Sequence, residues 1–496
     1  MAIELFNTLG SRVEPLTAST DNTLRMYCCG PTVYDYGHIG NFRTFLHMDV
    51  LRRAARLKGF ALKHVMNITD VDDKIIRNAA TAGVPIAEYT AKFERAFFED
   101  MDALRVERPE IIARATENIG EMVTLIQQLA AQDIAYKAED GSWYFRIARF
   151  PDYGKLSGKD LEGIEDGARV DVDEYEKDTA RDFALWKAAK PGEASWDTAI
   201  GTGRPGWHIE CSAMAMKHLG ANFDLHGGGE DLAFPHHENE IAQSECASHT
   251  TFARHWFHVR FLLVEGKKMS KSEGNFYTLR DLLLKGYRAS AIRFLLLSVP
   301  YRHQMNFTFD GLTESANAIE RLRTFARRME AAAGDAALPS ELNEDLEALV
   351  TGKFNGYHAA LENDLNTAEA RAAVFDVVRA ANIALDNGSI GRGNLGRIQQ
   401  LLGDFDAVFD VLVDRDAAVS RGAMEWAQAE GREDEAAPEM LASLSISDEQ
   451  VEALIAERTD ARKRRNFARG DAIRNELAEK GVLIEDGKNG VTWKRK

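Results

Sequence analysis

The first part of the chain alternates between two patterns of apolar and polar positions. A short apolar run at residues 24–29 is followed by apolar positions at three- and four-residue spacing over residues 38–56, and a second strand-like run covers residues 61–68. The short runs are typical of buried strands and the longer pattern of amphipathic helices. Strands that alternate with helices predict a parallel sheet, in which ligands gather beyond the carboxyl ends of the strands. The residues expected to converge there are Cys29, Thr69 and His226.

Downstream the pattern changes twice. From about residue 114 to residue 200 a helix gives way to a loop-rich stretch with Gly154, Gly158, Gly163 and Gly167, which we interpret as an insertion into the sheet domain. After residue 308 apolar residues recur at helical spacing, as in a bundle core, and residues 331–340 and 431–439 look like linkers. The predicted fold class is α/β: a Rossmann-like nucleotide-binding domain with an insertion, an α-helical bundle and a small C-terminal tail domain. The predicted boundaries are 1–310, with the insertion at 114–200, then 311–430 and 447–496.

Charge and composition narrow the class of protein. The 496 residues carry a net charge of −17, which argues against a protein that coats nucleic acid nonspecifically. From Arg458 to Lys496, however, 12 lysines and arginines face 6 aspartates and glutamates, so this tip has a net charge of +6 and favours one local anionic partner. Four cysteines without disulfide-like spacing indicate reduced thiols and a cytoplasmic protein. We find no signal-peptide pattern and no apolar run long enough for a bilayer, so no membrane role is expected.

Two short motifs predict a split ATP site. The first is His38-Ile39-Gly40-Asn41, and the second, Lys268-Met269-Ser270-Lys271-Ser272, begins 230 residues later. A histidine-bearing turn that opens a helix offers N–H donors to polyphosphate, and Gly40 lets a nucleotide approach the backbone closely. Two lysines on a loop can stabilise the charge that develops on a leaving pyrophosphate. Either motif alone is weak, since Lys/Ser-rich pentapeptides are usually solvated loops, but the pair in this order is specific.

A separate set of residues predicts a metal site. His236 and Glu240 are four residues apart in a segment that begins with Pro235, which favours a helix with both side chains on one face. Cys211 and one of the two adjacent cysteines at the end of the first strand would complete a set of two thiolates, an imidazole and a carboxylate. Two soft thiolates favour zinc over magnesium or calcium. A lone histidine is more often a packed or capping residue, so the prediction depends on the four donors together.

The motifs and their surroundings resemble the class I aminoacyl-tRNA synthetases, with their HIGH and KMSKS signatures, and more narrowly the cysteinyl-tRNA synthetases. The resemblance covers nearly the whole chain. The four segments that narrow it to cysteine are residues 27–35, 67–74, 206–214 and 226–240. The first signature departs from the class pattern at its fourth position, where Asn41 stands in place of histidine and keeps an N–H donor without a charge.

The resemblance implies a cysteine:tRNA ligase that works in two steps. Cysteine would attack the α-phosphate of ATP to give cysteinyl-adenylate and pyrophosphate, and the acyl group would then move to the 3′ end of tRNA(Cys). One Zn²⁺ per chain would be held by Cys29, Cys211, His236 and Glu240, and would prefer the thiolate of cysteine to the hydroxyl of serine. Cys28, on the opposite face of the strand, would be a small core residue. Mg²⁺ should accompany ATP without a dedicated protein cage.

The resemblance also implies roles for individual residues. Those expected to bind ATP or act in adenylate formation are His38, Gly40, Asn41, Lys268 and Lys271. Thr69 and Trp207 are expected to line the cysteine pocket, with Trp207 shielding the thiolate from water, and Asp231 to hold the ammonium group or a ribose hydroxyl. The basic tip would contact tRNA, with Phe467 or Trp493 stacking on unpaired bases.

Two other functions fit part of the pattern. A related ligase makes the same adenylate but transfers cysteine to the amine of a sugar; it needs no large RNA-binding C-terminus, whereas this chain has roughly 190 residues after its helical transition. A non-catalytic zinc and RNA-binding module would have damaged ATP motifs, whereas His38, Gly40, Lys268 and Lys271 are all present. We therefore expect the tRNA ligase, as a monomer.

Overall fold

The computed structural model describes residues 3–158, 169–170, 182–438, 440–441, 446, 448–487 and 490–495. The first group of strands and helices, in chain order, comprises β1 (Glu4–Asn7), β2 (Arg12–Pro15), β3 (Thr23–Cys28), α1 (Ile39–Leu57), β4 (Ala61–Ile68), α2 (Asp73–Ala82), α3 (Ile86–Ala103), β5 (Ile111–Arg114), α4 (Ile119–Ala131), β6 (Ala135–Lys137), β7 (Trp143–Phe145), β8 (Arg169–Val170), β9 (Asp182–Ala188), β10 (Gly203–Pro205), α5 (Trp207–Leu219), β11 (Phe223–Gly229), α6 (Glu238–Ser248) and β12 (Ala253–Val259).

The second group follows the central sheet. It comprises β13 (Leu262–Val264), β14 (Lys267–Lys268), α7 (Leu279–Leu284), α8 (Ala289–Leu296), β15 (Met305–Phe307), α9 (Phe309–Gly334), α10 (Glu344–Glu362), α11 (Thr367–Asp386), α12 (Arg392–Phe409), α13 (Asp416–Ala429), α14 (Asp448–Lys463), α15 (Phe467–Glu479), β16 (Val482–Gly487) and β17 (Gly490–Arg495).

A parallel sheet of five strands, in the order β12-β11-β3-β4-β5, forms the centre of the N-terminal domain. The predicted parallel sheet is confirmed. The strand order reverses between β3 and β11, so the carboxyl ends of these strands flank a crevice of the kind that holds ligands. Cys29 follows β3 and Thr69 follows β4, as expected. His226 instead lies inside β11, because that strand continues through three glycines whose backbones pair with β12.

The predicted insertion is less irregular than its sequence indicated. After α4 the chain forms an antiparallel sheet in the order β10-β9-β7-β6, and β8 pairs with β9. Three of these antiparallel strands are only three residues long, which is too short to show an alternating pattern. Gly154 and Gly158 lie in turns, whereas Gly163 and Gly167 lie outside the described residues.

Long helices follow β15, as predicted, and α9, α11 and α12 contribute to one apolar core that includes Ile319, Leu322, Phe325 and Val377. This core continues to the α1 face of the central sheet. The first predicted linker is shorter than expected, because α9 continues to Gly334. The second linker contains a 3₁₀ turn, and its residue 439 lies outside the described part of the chain. Helices α14 and α15 and the hairpin β16-β17 have a small core of their own.

Buried charges tie α1 to the helical region. Asp49 of α1 accepts hydrogen bonds from Nε of Arg53 (2.9 Å) and from Nη2 of Arg293 in α8 (2.7 Å). Arg293 is fully buried and also donates to the carbonyl of Phe409 at the end of α12 (2.6 Å), while Arg53 reaches Asp410 (3.3 Å). Because a buried charge without a partner is costly, this network holds α1, which begins with the first ATP motif, against the helices.

Candidate active site

The first ATP motif forms the N-terminal cap of α1. Nδ1 of His38 accepts a hydrogen bond from the backbone N–H of Asn41 (3.2 Å), and Oδ1 of Asn41 accepts one from the backbone N–H of His38 (3.1 Å). This reciprocal cap uses the Nδ1 lone pair, so the neutral imidazole carries its proton on Nε2. Burial lowers the pKa of His38 to about 4, against the opposing effect of the Asp231 carboxylate. His38 is therefore a neutral N–H donor at pH 7, and Asn41 has a capping role that the sequence did not predict.

The two ATP motifs are in contact. A Cβ atom at Gly40 would lie 3.0 Å from Cε1 and Nδ1 of His38 and 3.5 Å from Cε of Met269. The backbone of His38 also forms an antiparallel bridge with Thr278, shortly after the second motif. Glycine at position 40 thus leaves room for the capping ring of His38, while the methionine of the lysine loop lies at contact distance.

The structure brings Lys271 close to the first motif. Its Nζ lies 2.7 Å from Oδ2 of Asp35 and 5.1 Å above the ring of Phe276, and that ring lies edge-on to His38 at 5.2 Å between centroids. The hydrogen bond to Asp35 raises the pKa of Lys271, so the ammonium is charged at pH 7. Lys268 lies exposed on β14 at the start of the loop, and no described contact joins it to His38.

The four predicted metal ligands lie together. Donor atoms of Cys29, Cys211, His236 and Glu240 are all within 4.8 Å of one another, and all four residues are buried. The two Sγ atoms are 3.9 Å apart, and Oε1 of Glu240 lies 3.7 Å from Sγ of Cys29 and 3.1 Å from Nε2 of His236. A tetrahedral zinc ion with Zn–S bonds of ~2.3 Å requires roughly 3.8 Å between two sulfurs. The donor set therefore fits zinc in both chemistry and spacing.

The four ligands come from four different parts of the fold. Cys29 follows β3, Cys211 lies in α5, His236 lies in the turn before α6, and Glu240 lies in the first turn of α6. The expected helix face is only partly realised, because α6 begins at Glu238 and His236 lies in the preceding turn. The i,i+4 contact between His236 and Glu240 forms nevertheless.

Two further histidines surround the same point, and the sequence did not predict them as donors. His226 and His237 form a second possible metal set with Cys29 and Glu240. Nε2 of His226 lies 2.8 Å from Oε2 of Glu240, and Nε2 of His237 lies 3.3 Å from Sγ of Cys29. Nδ1 of His237 lies 2.8 Å from Nε2 of His258, which fixes its ring. The available signal was the doubled histidine of the Pro-His-His segment.

The cluster stabilises negative charge despite its burial. Burial raises the pKa of Glu240, but His226 and His236 lower it to about 2. Burial likewise raises the pKa of Cys211, but hydrogen bonding from Cys29 and the charge of His236 lower it to about 6. Burial lowers the pKa of His236, and the thiolate of Cys211 and the carboxylate of Glu240 raise it to about 10. His236 is thus protonated between the anionic side chains of Cys211 and Glu240, at the point where a cation would be stabilised.

The other predicted pocket residues are arranged around this cluster. The ring of Trp207 stacks on His236 at 4.2 Å between centroids, so it covers one predicted ligand. Thr69 is buried and its hydroxyl donates to Oε2 of Glu210 (2.9 Å). Asp231 follows β11 beside a cleft of about 550 Å³ and acts electrostatically on His38.

Comparison with known proteins identifies the family. Residues 15–317 match the model of the "tRNA synthetases class I (C) catalytic domain", residues 356–413 match the "DALR domain", and residues 447–493 match the "Cysteinyl-tRNA ligase anticodon binding domain". The chain is 57% identical over 499 residues to the cysteine--tRNA ligase of Koribacter versatilis and 52% identical over 499 residues to that of Solibacter usitatus. In each case 100% of both chains is covered.

The chain belongs to the cysteine--tRNA ligase family. The predicted family, fold class and enzyme class are thereby confirmed. Methionyl-tRNA synthetase of Mycobacterium tuberculosis, in complex with methionyl-adenylate, has the same fold, with a TM-score of 0.57 at 16% identity over 86% of this chain and 95% of that one. Within the described residues, none of the helices combines the length and the apolar character that crossing a membrane requires.

Proposed function

We propose that this cysteine--tRNA ligase activates L-cysteine with ATP at the crevice between β3 and β11 and transfers it to the 3′ end of tRNA(Cys). The observation that carries the proposal is the close arrangement of two ATP motifs in contact and a buried cluster of two thiols, imidazole and carboxylate at the same sheet edge. An ATP-binding turn supplies the means of activation, and the cluster supplies the means of choosing a thiol substrate.

For the metal we propose one Zn²⁺ per chain, held by Cys29, Cys211, His236 and Glu240. When bound, zinc would take the thiol of the substrate cysteine as a thiolate ligand and so prefer it to the hydroxyl of serine. The protein keeps that region dry, because all four ligands are buried and Trp207 stacks on His236. A pocket that only measured size would separate cysteine from serine about 100-fold at best. Because the metal would discriminate by bond chemistry instead, an editing domain is not expected.

For ATP we propose that Nε2–H of His38 and the N-terminus of α1 bind phosphate oxygens, with Gly40 and Asn41 shaping that turn. Mg²⁺ would accompany ATP as its counterion. Lys271 would leave Asp35 and donate to the pyrophosphate as it departs. The Lys271–Asp35 ion pair is exposed, so it costs little to exchange one anionic partner for another. Thr69 would line the cysteine pocket, and Asp231 would hold the ammonium group of the amino acid or a ribose hydroxyl.

For tRNA we propose that the insertion contacts the acceptor end, and that the helices after residue 310 and the tail domain reach the anticodon side. Phe467 is 57% exposed and is available to stack on an unpaired base. Nε1 of Trp493 instead donates to Glu452 (2.6 Å), which makes it the weaker candidate. We further propose a cytoplasmic monomer, consistent with four free cysteines.

A pyrophosphate-exchange assay with each standard amino acid tests this function. Exchange with cysteine alone, followed by transfer of labelled cysteine to tRNA, is the expected result. Transfer to a sugar amine but not to tRNA would favour the alternative acceptor, against which the match to a tRNA ligase anticodon-binding domain argues.

A further inference from the structure

Three buried polar side chains, Asn67, Thr69 and Glu210, form a continuous hydrogen-bond chain that we call the relay. The backbone N–H of Gly30 donates to Oδ1 of Asn67 (2.8 Å), Nδ2 of Asn67 donates to Oγ1 of Thr69 (3.2 Å), and Thr69 donates to Oε2 of Glu210 (2.9 Å). Each relay side chain is at most 2% exposed. Burying a polar side chain costs free energy unless it is hydrogen-bonded, so a connected series of buried polar side chains indicates a structural or functional role.

The direction of every bond in the relay is determined by its first member. A backbone N–H can only donate, so Asn67 must present its oxygen to Gly30 and its NH₂ group to Thr69. The Thr69 oxygen therefore accepts from Asn67 and its proton goes to the Glu210 carboxylate. Removing the hydroxyl would leave a buried donor on one side and a buried acceptor on the other without this partner.

The relay joins the two elements that supply the cysteine ligands. Gly30 directly follows Cys29 at the end of β3, and Glu210 directly precedes Cys211 in α5. The strand ends are packed closely, because a Cβ atom on Gly30 would lie 1.8 Å from the carbonyl oxygen of Asn67. The two Sγ atoms lie 3.9 Å apart. A shift of α5 relative to β3 would therefore break the relay and change the distance between the two thiols together.

We propose that Asn67, Thr69 and Glu210 are positioning residues that hold Cys29 and Cys211 at the spacing a zinc ion requires. This inference rests on the proposed zinc site. The relay bonds to Gly30 and Glu210, the sequence neighbours of Cys29 and Cys211, and so positions the two cysteines through the backbone. Loss of outer-shell partners of metal ligands typically weakens metal binding ~10- to 100-fold, and the relay is expected to have an effect of that size.

The test is the zinc affinity of the full-length protein, measured by competition with a chromophoric chelator in the absence of cysteine and ATP. Thr69→Val keeps the shape of the side chain without its hydroxyl and should weaken zinc binding ~10- to 100-fold. Thr69→Ser restores the hydroxyl and should bind zinc as the wild type does. Because no substrate is present, any contact of Thr69 with cysteine does not enter the measurement.

Asp70→Asn is the matched control. Asp70 is a buried carboxylate beside the relay that accepts from the Thr116 hydroxyl (2.5 Å) and backbone N–H (2.9 Å), and it lies outside the relay. The zinc affinity of the Asp70→Asn variant should stay within about twofold of that of the wild type. If Asp70→Asn weakens zinc as much as Thr69→Val does, general loosening of this region explains the effect and the relay is refuted.

A second variant and a second measurement guard against misfolding. Glu210→Gln keeps the side-chain shape and replaces the carboxyl acceptor by an amide, whose carbonyl oxygen can still accept from Thr69, so it should weaken zinc binding in the same direction by a smaller factor. In cobalt-substituted protein, the thiolate-to-cobalt charge-transfer absorption should fall in Thr69→Val and recover in Thr69→Ser. Wild-type protein that takes up no zinc would contradict the proposed metal site itself. Normal zinc affinity in both Thr69→Val and Glu210→Gln would overturn the relay alone.

Discussion

Replacing Lys271 by alanine separates the catalytic and structural contributions of the lysine loop. In the structure its ammonium forms one ion pair, with Asp35, and the two side chains are 67% and 38% exposed. An exposed pair of this kind contributes roughly 0.2–1 kcal/mol, so Lys271→Ala should leave the stability of the fold almost unchanged. A change in the denaturation midpoint larger than this would mean that the loop has a structural role.

The rate of adenylate formation should respond far more strongly. Removing a preorganised donor from a site of developing charge costs about 2.7–4 kcal/mol, which corresponds to a loss of ~10²–10³ in rate. The contacts described for Lys271, to Asp35 and Phe276, do not include the buried metal cluster, so the KM for cysteine should change little. The assay is cysteine-dependent pyrophosphate exchange at saturating ATP, with the KM for cysteine determined in the same series.

Lys267→Ala is the matched control, because Lys267 is an exposed lysine on β14, directly before the lysine loop, and lies outside the ATP motif. It should keep the wild-type rate within a few-fold. An unchanged exchange rate in Lys271→Ala, or an equal loss in both variants, would refute the specific role of Lys271 in adenylation.

Four further predictions follow from particular contacts. Purified protein should contain about one zinc ion per chain by elemental analysis, and Cys211→Ser should lose the metal and bind cysteine far more weakly; zinc-free wild-type protein would contradict this. Deletion of residues 447–496, which have their own core, should leave pyrophosphate exchange intact and lower tRNA charging by orders of magnitude in a labelled-cysteine assay. Asp49→Ala leaves buried Arg293 without its carboxylate and should cost ~3–5 kcal/mol in urea denaturation. Burial and a neighbouring arginine lower the pKa of His64 in the folded protein to about 3, whereas a histidine in the unfolded chain has a pKa of ~6.5. Below pH ~6.5 the unfolded chain therefore binds a proton that the folded protein does not, and the free energy of unfolding should fall between pH 7 and pH 4. The slope of this fall should be shallower in His64→Gln.

Long, regular segments of the fold could be predicted from the sequence. The second strand was expected at residues 61–68 and lies at Ala61–Ile68, and the first helix was expected at residues 38–56 and lies at Ile39–Leu57. Both have enough residues for their periodicity to be visible. The antiparallel sheet of the insertion was missed because a three-residue strand has no period to detect, and its pairing is decided by contacts between distant segments.

The candidate site was predictable only as far as local spacing reaches. The family resemblance selected Cys29 as the ligand, strand alternation placed Cys28 on the opposite face, and the two side chains do lie in different apolar clusters. His226 and His237 were not expected as donors, because their directions depend on the course of β11 and of the turn before α6. The ion pair between Lys271 and Asp35 joins residues 236 positions apart, and no local pattern predicts such a contact.

The way the lysine loop is anchored distinguishes the two lysines of the second ATP motif. At its start, Lys268 belongs to β14 and pairs with Leu263 of β13, and at its end the carbonyl of Tyr277 accepts a hydrogen bond from the N–H of Ile39 in the first turn of α1 (3.1 Å). Between these anchors the N–H of Gly274 donates to the carbonyl of Lys271 (3.3 Å), and because this bond is internal to the loop, the loop can move without breaking either anchor. Lys271 lies in that interval and is held by one exposed ion pair. Since charge develops on the pyrophosphate only as the reaction proceeds, the lysine that follows it must be able to move, and we expect Lys271 to carry that role while Lys268 holds the base of the loop.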